Sequence, residues 1–265
     1  MAPPEQQEDS RATLRTTLRT THCWSDDVRA AEYDSHGNRA FYQSALALLL
    51  DGAPTLAGQG VDLGCGTGFA TEVLVARYPQ VTWQGIDLAN AMLDRARRRP
   101  GLAGVNFRHV SAESLPLADA SVDVVVANFS WHWFGDNAGQ EVRRVLRPGG
   151  WLLATVPLRM FSSASGNRLL ARVLLADRRR FSPTSSQGLR FEETRSLLPG
   201  PVLVGRHDLH IGRETFADGQ EMLNVLDSRG ALRAIFGNRP PAKIDARSPL
   251  DFTWPFAVVQ LQVVG

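Results

Sequence analysis

Residues 60–78 read GVDLGCGTGFATEVLVARY, and this stretch decides the fold. Its first apolar residues predict a buried strand, its glycines predict a turn, and the segment after Gly68 has the apolar spacing of a helix that Pro79 ends. Glycines between a strand and a helix allow backbone amides and the helix N-terminus to approach a ligand closely. The stretch therefore predicts a ligand-binding loop. The alternative is that the glycines serve only tight packing of the strand on the helix.

The same unit repeats downstream. Further strands are predicted at VTWQGID, VNFRHV, VDVVVANF and WLLATVP, and helices are predicted at NAMLDRARRR and NAGQEVRRVL. Strands that alternate with helices of about ten residues indicate a parallel sheet with right-handed crossovers. We therefore expect an α/β protein with a doubly wound, Rossmann-like, seven-stranded sheet, whose core is residues 56–157.

The segments around this core differ from it in composition. Residues 1–23 are polar and contain the repeat LRTTLRTT, so they predict a mobile arm. Residues 24–55 predict a helical N-terminal lid, and residues 158–199 predict a cap insertion with one helix near Leu169. Residues 200–265 are expected to complete the sheet, with short strands at 201–205 and at PFAVVQLQVV and a helix between them.

Composition limits the classes of function. A chain of 265 residues with 43% hydrophobic content can form one sizeable core and a modest second lobe. The formal net charge of +2 produces no field for a polyanion, so a nucleic acid partner is not required. Two cysteines, Cys23 and Cys65, form no disulfide framework. No apolar run is long enough to span a bilayer and the start is polar, so we expect a cytoplasmic protein without a membrane partner.

A carboxylate follows the glycine loop at an informative distance. Asp87 ends the second predicted strand, 23 positions after Gly64, where it can accept both hydroxyls of a ribose. A dinucleotide site usually reads G-x-G-x-x-G, whereas Gly64, Gly66 and Gly68 read G-x-G-x-G. The combination predicts an adenosine-containing cofactor, and the spacing disfavours the alternative of a nicotinamide-dependent oxidoreductase.

Four segments in order resemble one family. VDLGCGTG resembles the nucleotide loop of class I S-adenosylmethionine-dependent methyltransferases, and GIDLANAML resembles the end of their second strand. SAESLPLADASVDVVVAN resembles their adenine-binding loop and fourth strand, and VRRVLRPGGWLLATVP resembles the approach to their fifth strand. The chain is identified on these motifs as a member of that family. The resemblance implies S-adenosylmethionine as the cofactor and a small molecule as the methyl acceptor.

The resemblance also implies roles for single residues. Asp87 would hold the ribose, Asp62 would orient the ammonium group, and Leu88 would pack on the adenine. Ser111 departs from the family pattern, which often has Asp there, so the hydrogen bond to the adenine amino group is weaker or is supplied differently. The implied cofactor-binding residues are Tyr33, Asp62, Gly64, Cys65, Gly66, Gly68, Asp87, Leu88, Ala112, Glu113 and Asn128.

The catalytic residue depends on the acceptor. Methyl transfer is an in-line displacement at a sulfonium, so alignment and exclusion of water supply much of the acceleration. A carboxylate acceptor needs no base, whereas a phenol, an amine or an activated carbon benefits from a base poised near neutrality. His132 in NFSWHWF is the candidate base, and a structural histidine between Trp131 and Trp133 is the alternative.

NFSWHWF and AAEYD are also similar to segments of malonyl-carrier-protein and trans-aconitate methyltransferases.

The predicted function is therefore methyl transfer from S-adenosylmethionine to a small-molecule acceptor, on oxygen or carbon. One alternative is an RNA-modifying methyltransferase, for which the RARRR run at 95–99, on a helix expected to face solvent, is the support. Another is a non-catalytic or cyclase-like protein that binds the same cofactor. The Arg178–Arg180 run fits either an anionic ligand or a solvated helix end. No metal is expected.

Overall fold

The computed structural model describes residues 24, 26–158, 163–176, 189–232, 246 and 248–264. The predicted arm at residues 1–23, which includes Cys23, lies outside these residues. The Arg178–Arg180 run lies outside them as well.

The described strands form one seven-stranded sheet in the order β3-β2-β1-β4-β5-β7-β6. The first five strands pair in parallel, β7 is antiparallel to β5, and β6 is antiparallel to β7. This order confirms the predicted doubly wound, Rossmann-like sheet. The strands are β1 (Gly58–Leu63), β2 (Val81–Asp87), β3 (Asn106–His109), β4 (Val122–Asn128), β5 (Leu146–Pro157), β6 (Val202–Phe216) and β7 (Leu250–Val263).

The last two strands are longer than the sequence suggests. The predicted strand at 201–205 is the beginning of β6, which continues to Phe216, and β7 begins five residues before Pro255. The two strands pair with each other from Val202↔Val263 to Phe216↔Leu250. The short predicted strands were therefore wrong in length, because most of β6 is exposed and does not have the buried apolar run of a central strand.

Seven α-helices lie within the described residues. Asp26 and Ser35 cap the first two helices, since each side chain accepts a hydrogen bond from the amide three residues later. The third helix follows Gly68 directly. The helices are α1 (Asp27–Tyr33), α2 (His36–Leu50), α3 (Phe69–Arg77), α4 (Asn90–Arg97), α5 (Ala138–Val145), α6 (Ser165–Ala176) and α7 (Gly219–Ser228).

Helices cover both faces of the sheet, as expected for parallel strands that are buried on two sides. On one face Leu46 and Leu49 of α2 and Leu74 of α3 pack in a cluster with sheet residues that include Val124. On the other face α5 contributes Val142, which belongs to a second cluster of buried residues. The segment predicted as a lid therefore has two parts, because the second half of α2 is a core element. We keep the name lid for residues 24 and 26–35.

The helix predicted near Leu169 is α6, and it is anchored on the sheet. Asn167 donates from Nδ2 to the carbonyl of Thr253 at 3.1 Å and accepts from the Thr253 amide at 2.9 Å. Leu170 belongs to a cluster of buried residues with Met222 of α7 and Phe252 of β7. The described part of the predicted cap insertion is thus packed at the β6–β7 end of the sheet.

The arginine run at 95–99 does not face solvent as a whole. Arg97 is half-exposed, but the Arg99 side chain is only 12% exposed and donates from Nε to the carbonyl of Thr67 at 2.5 Å. The prediction of a solvent-facing basic run is therefore wrong for Arg99, because this guanidinium packs beneath the glycine loop.

Candidate cofactor and acceptor site

A cleft of about 1090 Å³, including its open mouth, lies at the carboxyl ends of the parallel strands. Gly64 follows β1, Asp87 ends β2 and Asn128 ends β4, and all three residues line the cleft. The strand order reverses between β1 and β4, and doubly wound sheets bind ligands at such a switch point. The fold therefore places this cleft where a ligand is expected.

Most of the predicted site residues meet in this cleft. The predicted residues that line it are Tyr33, Gly64, Asp87, Leu88, Ala112, Glu113, Asn128 and His132. The predicted residues outside its lining are Asp62, Cys65, Gly66 and Gly68.

The three glycines of the loop all have positive φ angles, of 72°, 53° and 88° for Gly64, Gly66 and Gly68. A Cβ atom on Gly64 would lie 2.4 Å from Ser130 Cβ, and one on Gly68 would lie 2.8 Å from Leu102 Cδ1. These two glycines therefore have a packing role. A Cβ on Gly66 would meet its nearest atom, in the Tyr33 ring, only at 3.8 Å. Gly66 therefore has room for a Cβ atom, which would be in ordinary van der Waals contact with Tyr33.

Asp87 holds the glycine loop in place. Its Oδ2 accepts from the Gly66 amide at 2.8 Å, and its Oδ1 accepts from the Ala89 amide at 2.9 Å. Burial raises the pKa of this carboxyl, and the backbone donors oppose the shift. A carboxylate has about four acceptor positions, so acceptor capacity remains after these two bonds. Asp87 can therefore organise the loop and accept ribose hydroxyls in the cleft.

Asp62 and Cys65 lie behind the loop. Asp62 is buried and accepts from Thr71 Oγ1 at 2.6 Å, a bond that joins β1 to α3. Burial raises the pKa of Asp62 to about 7, although the Thr71 hydroxyl opposes the shift. Cys65 packs in a buried cluster with Leu93 and Phe107, and burial also raises the pKa of its thiol. Both side chains support the loop from below, and the cofactor contacts implied for them stay predictions.

The side of the cleft next to β2 and β3 is mainly apolar. Leu88, Val110 and Ala112 line it, and the buried Glu113 lies beside them. A Cβ atom on Gly135 would lie 1.8 Å from Glu113 Oε1, so Gly135 makes room for this carboxyl group. This wall suits the flat, apolar faces of an adenine ring.

Asn128 and Phe129 form the floor at the end of β4. Asn128 donates from Nδ2 to the Tyr42 carbonyl at 3.1 Å and accepts from Thr155 Oγ1 at 2.7 Å. Phe129 has a φ of 54°, which non-glycine residues rarely adopt, and its amide donates to Thr155 Oγ1 at 2.9 Å. Strained backbone of this kind is common at functional sites. The strand end is therefore held rigid where it borders the cleft.

His132 lies in a 3₁₀ turn, Trp131–Trp133, that follows β4. It lines the cleft and is half-buried, and its ring centroid lies 4.9 Å from that of Trp133. Trp131 belongs to the buried core cluster, whereas Trp133 and Phe134 line the cleft. Trp133 and Phe134 thus form an aromatic part of the cleft wall. The base role of His132 stays a prediction.

The structure adds a charged group that the sequence analysis missed. Arg229, which follows α7, lines the cleft with a side chain that is 3% exposed. It donates to the two carboxylate oxygens of Glu214 at 2.5 and 2.8 Å and from Nε to Asn38 Oδ1 at 2.9 Å. Its Cζ lies 4.1 Å from the ring centroid of Phe41 and 5.0 Å from that of Trp254. A lone arginine after a predicted helix gives no sequence signal, since its partners come from distant segments.

No helix among the described residues has the length and apolar character needed to cross a bilayer. Within that same part of the chain, no group of three or more His, Cys, Asp or Glu side chains is placed to hold a metal ion.

Comparison with known proteins connects this geometry to a family. A family model described as a methyltransferase domain matches residues 61–154. A malonyl-[acyl-carrier protein] O-methyltransferase from Methylococcus capsulatus is 40% identical over 119 residues, which are 44% of this chain and 40% of that protein. A trans-aconitate 2-methyltransferase from Methylobacterium nodulans is 39% identical over 115 residues, which are 43% of each protein.

A solved structure extends the comparison beyond the matched residues. The crystal structure of a SAM-dependent methyltransferase from Aquifex aeolicus superposes with a TM-score of 0.54 at 15% identity, and the match covers 90% of this chain and 99% of that one. At this identity the likeness shows the fold alone. The chain spans 40% and 43% of the lengths of the two curated relatives. Residues 61–154 match the model of a methyltransferase domain, and this part of the chain is therefore similar to methyltransferases.

Proposed function

We propose that this protein transfers the methyl group of S-adenosylmethionine to a small-molecule acceptor. The observation that carries the proposal is the cleft at the switch point of the sheet, where Gly64, Asp87 and Asn128 meet from three strand ends. The residues present fit the cofactor, since the cleft has a glycine of the loop, Gly64, a carboxylate for the ribose and an apolar wall for the adenine.

Each side of the cofactor has residues that we propose to hold it. Asp87 accepts the ribose hydroxyls, and Leu88 and Ala112 contact the adenine. Asp62 acts from behind the loop, where its charge in the ionised form attracts the ammonium group. Tyr33 covers the loop, since its ring is stacked on Phe69 with centroids 5.6 Å apart.

S-adenosylmethionine supplies an electrophilic methyl carbon on a sulfonium. The chain aligns the acceptor and excludes water, because the lid places Trp24 and Tyr33 in the cleft lining with their ring centroids 5.2 Å apart. If the acceptor must lose a proton, we propose that His132 takes it. An acceptor that is already ionised needs no such group.

The acceptor side of the cleft is aromatic with one ion pair. Phe41, Phe129 and Trp254 line it around Arg229. The bonds to Glu214 and Asn38 use three of the five N–H donors of Arg229, so two donors remain for a ligand. These features support an acceptor with an apolar body and one polar or anionic group. The names of the two curated relatives specify a malonyl carrier protein and trans-aconitate as acceptors. Both acceptors carry an anionic carboxylate group.

The test is a transfer assay with methyl-labelled S-adenosylmethionine and a panel of carboxylic acids, phenols, amines and activated carbons. We expect labelled product with one class and less product at limiting cofactor with the Asp87→Ala variant, which should bind the cofactor at least about tenfold more weakly because charge-assisted hydrogen bonds are lost. Cofactor binding by calorimetry without transfer to any class would favour the non-catalytic alternative.

The RNA-modifying alternative is tested separately. Its sequence support has weakened, because Arg97 donates to Asp94 and to the Phe107 carbonyl while Arg99 packs beneath the glycine loop. We expect no salt-dependent affinity for RNA. Salt-dependent binding together with transfer of label to RNA would replace the small-molecule proposal.

A further inference from the structure

Arg99 joins three elements that surround the glycine loop. Its Nε donates to the Thr67 carbonyl at 2.5 Å, its Nη1 donates to Glu72 Oε2 at 3.1 Å, and its Nη2 is paired with Asp34 Oδ1. Its Cζ lies 4.9 Å from the centroid of the Phe69 ring. Thr67 belongs to the loop, Glu72 to the first turn of α3, and Asp34 to the end of the lid. One guanidinium thus connects the lid to the cofactor loop.

The loop is held from two directions at neighbouring residues. The Gly66 amide donates to Asp87 Oδ2 at 2.8 Å, and the next carbonyl, that of Thr67, accepts from Arg99. The Arg99 side chain also lies directly under the following glycine, since a Cβ on Gly68 would be 3.4 Å from Arg99 Cδ. Arg99 therefore limits the movement of the glycine loop at Thr67 and Gly68.

The lid end of this connection positions a residue that lines the cleft. Asp34 follows Tyr33, whose ring contacts Phe69 and Tyr42 and lies above Gly66. Asp34 is 26% exposed and Arg99 is 12% exposed, so their attraction is screened less than that of a surface pair. A second link runs parallel to it, since Arg39 of α2 donates to Glu72 Oε2 at 2.6 Å.

We propose that Arg99 is a positioning residue that couples closure of the lid to the shape of the glycine loop, so that the Asp34–Arg99 pair keeps Tyr33 over the bound cofactor. The inference rests on the proposed cofactor of this site. An open lid lowers the population that is competent to hold the cofactor, and the apparent dissociation constant rises in inverse proportion to that population. The pair therefore acts on the rate of cofactor release more than on the chemistry of transfer.

The experiment is a double-mutant cycle with Asp34→Asn, Arg99→Gln and the double variant. Cofactor affinity is measured by calorimetry, and association and dissociation rates are measured by stopped flow. If the closed lid falls to about a tenth of its population, each single variant binds about tenfold more weakly. We expect faster dissociation, little change in association, and a double variant no weaker than Arg99→Gln alone. The matched control is Asp94→Asn, which removes the half-exposed ion pair between Asp94 and Arg97 on α4. This variant should leave cofactor affinity unchanged.

The outcomes separate this inference from the proposed function. Wild-type protein that does not bind S-adenosylmethionine overturns both. Wild-type binding with unchanged affinity in Asp34→Asn, or with effects that add independently in the double variant, overturns the inference alone. If Arg99→Gln does not fold, the Asp34→Asn variant still tests the inference. Asp34 lies at the end of the lid, and its replacement removes the Asp34–Arg99 ion pair while Arg99 stays in place.

Discussion

The two sides of the cleft are assembled in different ways. The side proposed for the cofactor comes from residues 61–154, where the loop, the end of β2 and the turn before β4 follow one another along the chain. The side proposed for the acceptor combines Phe41 from α2, Arg229 after α7 and Trp254 from β7. The first lies within the range that the methyltransferase-domain model matches, whereas the second exists only once distant segments have packed. On this basis we expect that binding of the proposed cofactor and choice of the proposed acceptor can be changed separately by mutation.

The largest expected effect is on the cofactor side. Gly66→Val should abolish cofactor binding while the protein stays folded, because a β-branched residue is strained at a φ of 53° and its side chain would press on the Tyr33 ring, so the loop must shift. Calorimetry and circular dichroism check the two parts. Gly101→Ala is the control, since a Cβ there meets nothing within 4 Å and should leave affinity intact. Normal cofactor affinity in Gly66→Val would mean that the loop does not bind the cofactor.

His132→Ala tests the border between the two sides. If the acceptor must lose a proton, turnover should fall by about a hundredfold or more with nearly unchanged cofactor affinity, the usual scale of general-base assistance. With a carboxylate acceptor the Michaelis constant should change instead. The turnover rate plotted against pH should then show no inflection near pH 6 to 7. Steady-state kinetics on one identified acceptor separates the cases. If neither parameter changes, His132 is a packing residue.

Arg229→Lys addresses the acceptor side alone. The lysine keeps the charge near Glu214 but loses the planar set of donors, so the Michaelis constant for the acceptor should rise by about threefold to tenfold. Cofactor affinity should stay within about twofold, because the contacts of Arg229 are with Glu214, Phe41 and Trp254 and not with the residues proposed for the adenine. Kinetics and calorimetry on the same preparation measure the two quantities. An equal loss of cofactor affinity would show that the two sides are not independent.

The smallest expected effect concerns stability and pH. The folded-state pKa of Asp62 is about 7, above its ordinary value of 3.8, so the folded protein binds a proton more readily than the unfolded chain. The contribution of protonated Asp62 to the free energy of unfolding is therefore fully present below about pH 4 and is lost as the pH rises towards 7. In urea unfolding, the midpoint urea concentration of the wild type should decrease as the pH is raised from 5 to 7.5. In the Asp62→Asn variant this decrease should be smaller. A parallel pH dependence in the variant would assign the effect to other groups.

The predicted elements failed at particular places for identifiable reasons. β7 was expected to start at Pro255 because proline normally marks the start or edge of a strand, yet the strand begins at Leu250 and passes through it. Pro255 pairs with Ile211 of β6, and it lies just beyond the paired stretch of β5 and β7, which ends at Pro157↔Phe256. The Arg99 side chain was expected in solvent, but Asp34, Thr67 and Glu72 provide three acceptors that only folding brings together.

The sequence by itself determined the alternation of strands and helices, the glycine loop and the carboxylate at the end of β2. These features depend on local spacing, so Gly66 and Asp87 could be named before any contact was known. Only the tertiary structure decided that Gly64 and Gly68 serve packing, that Arg99 ties the lid to the loop, and that Arg229 pairs with Glu214 in the cleft wall. The physical reason is that such contacts join residues far apart in the chain, and side-chain burial and pairing across that separation have no periodic signature in the sequence.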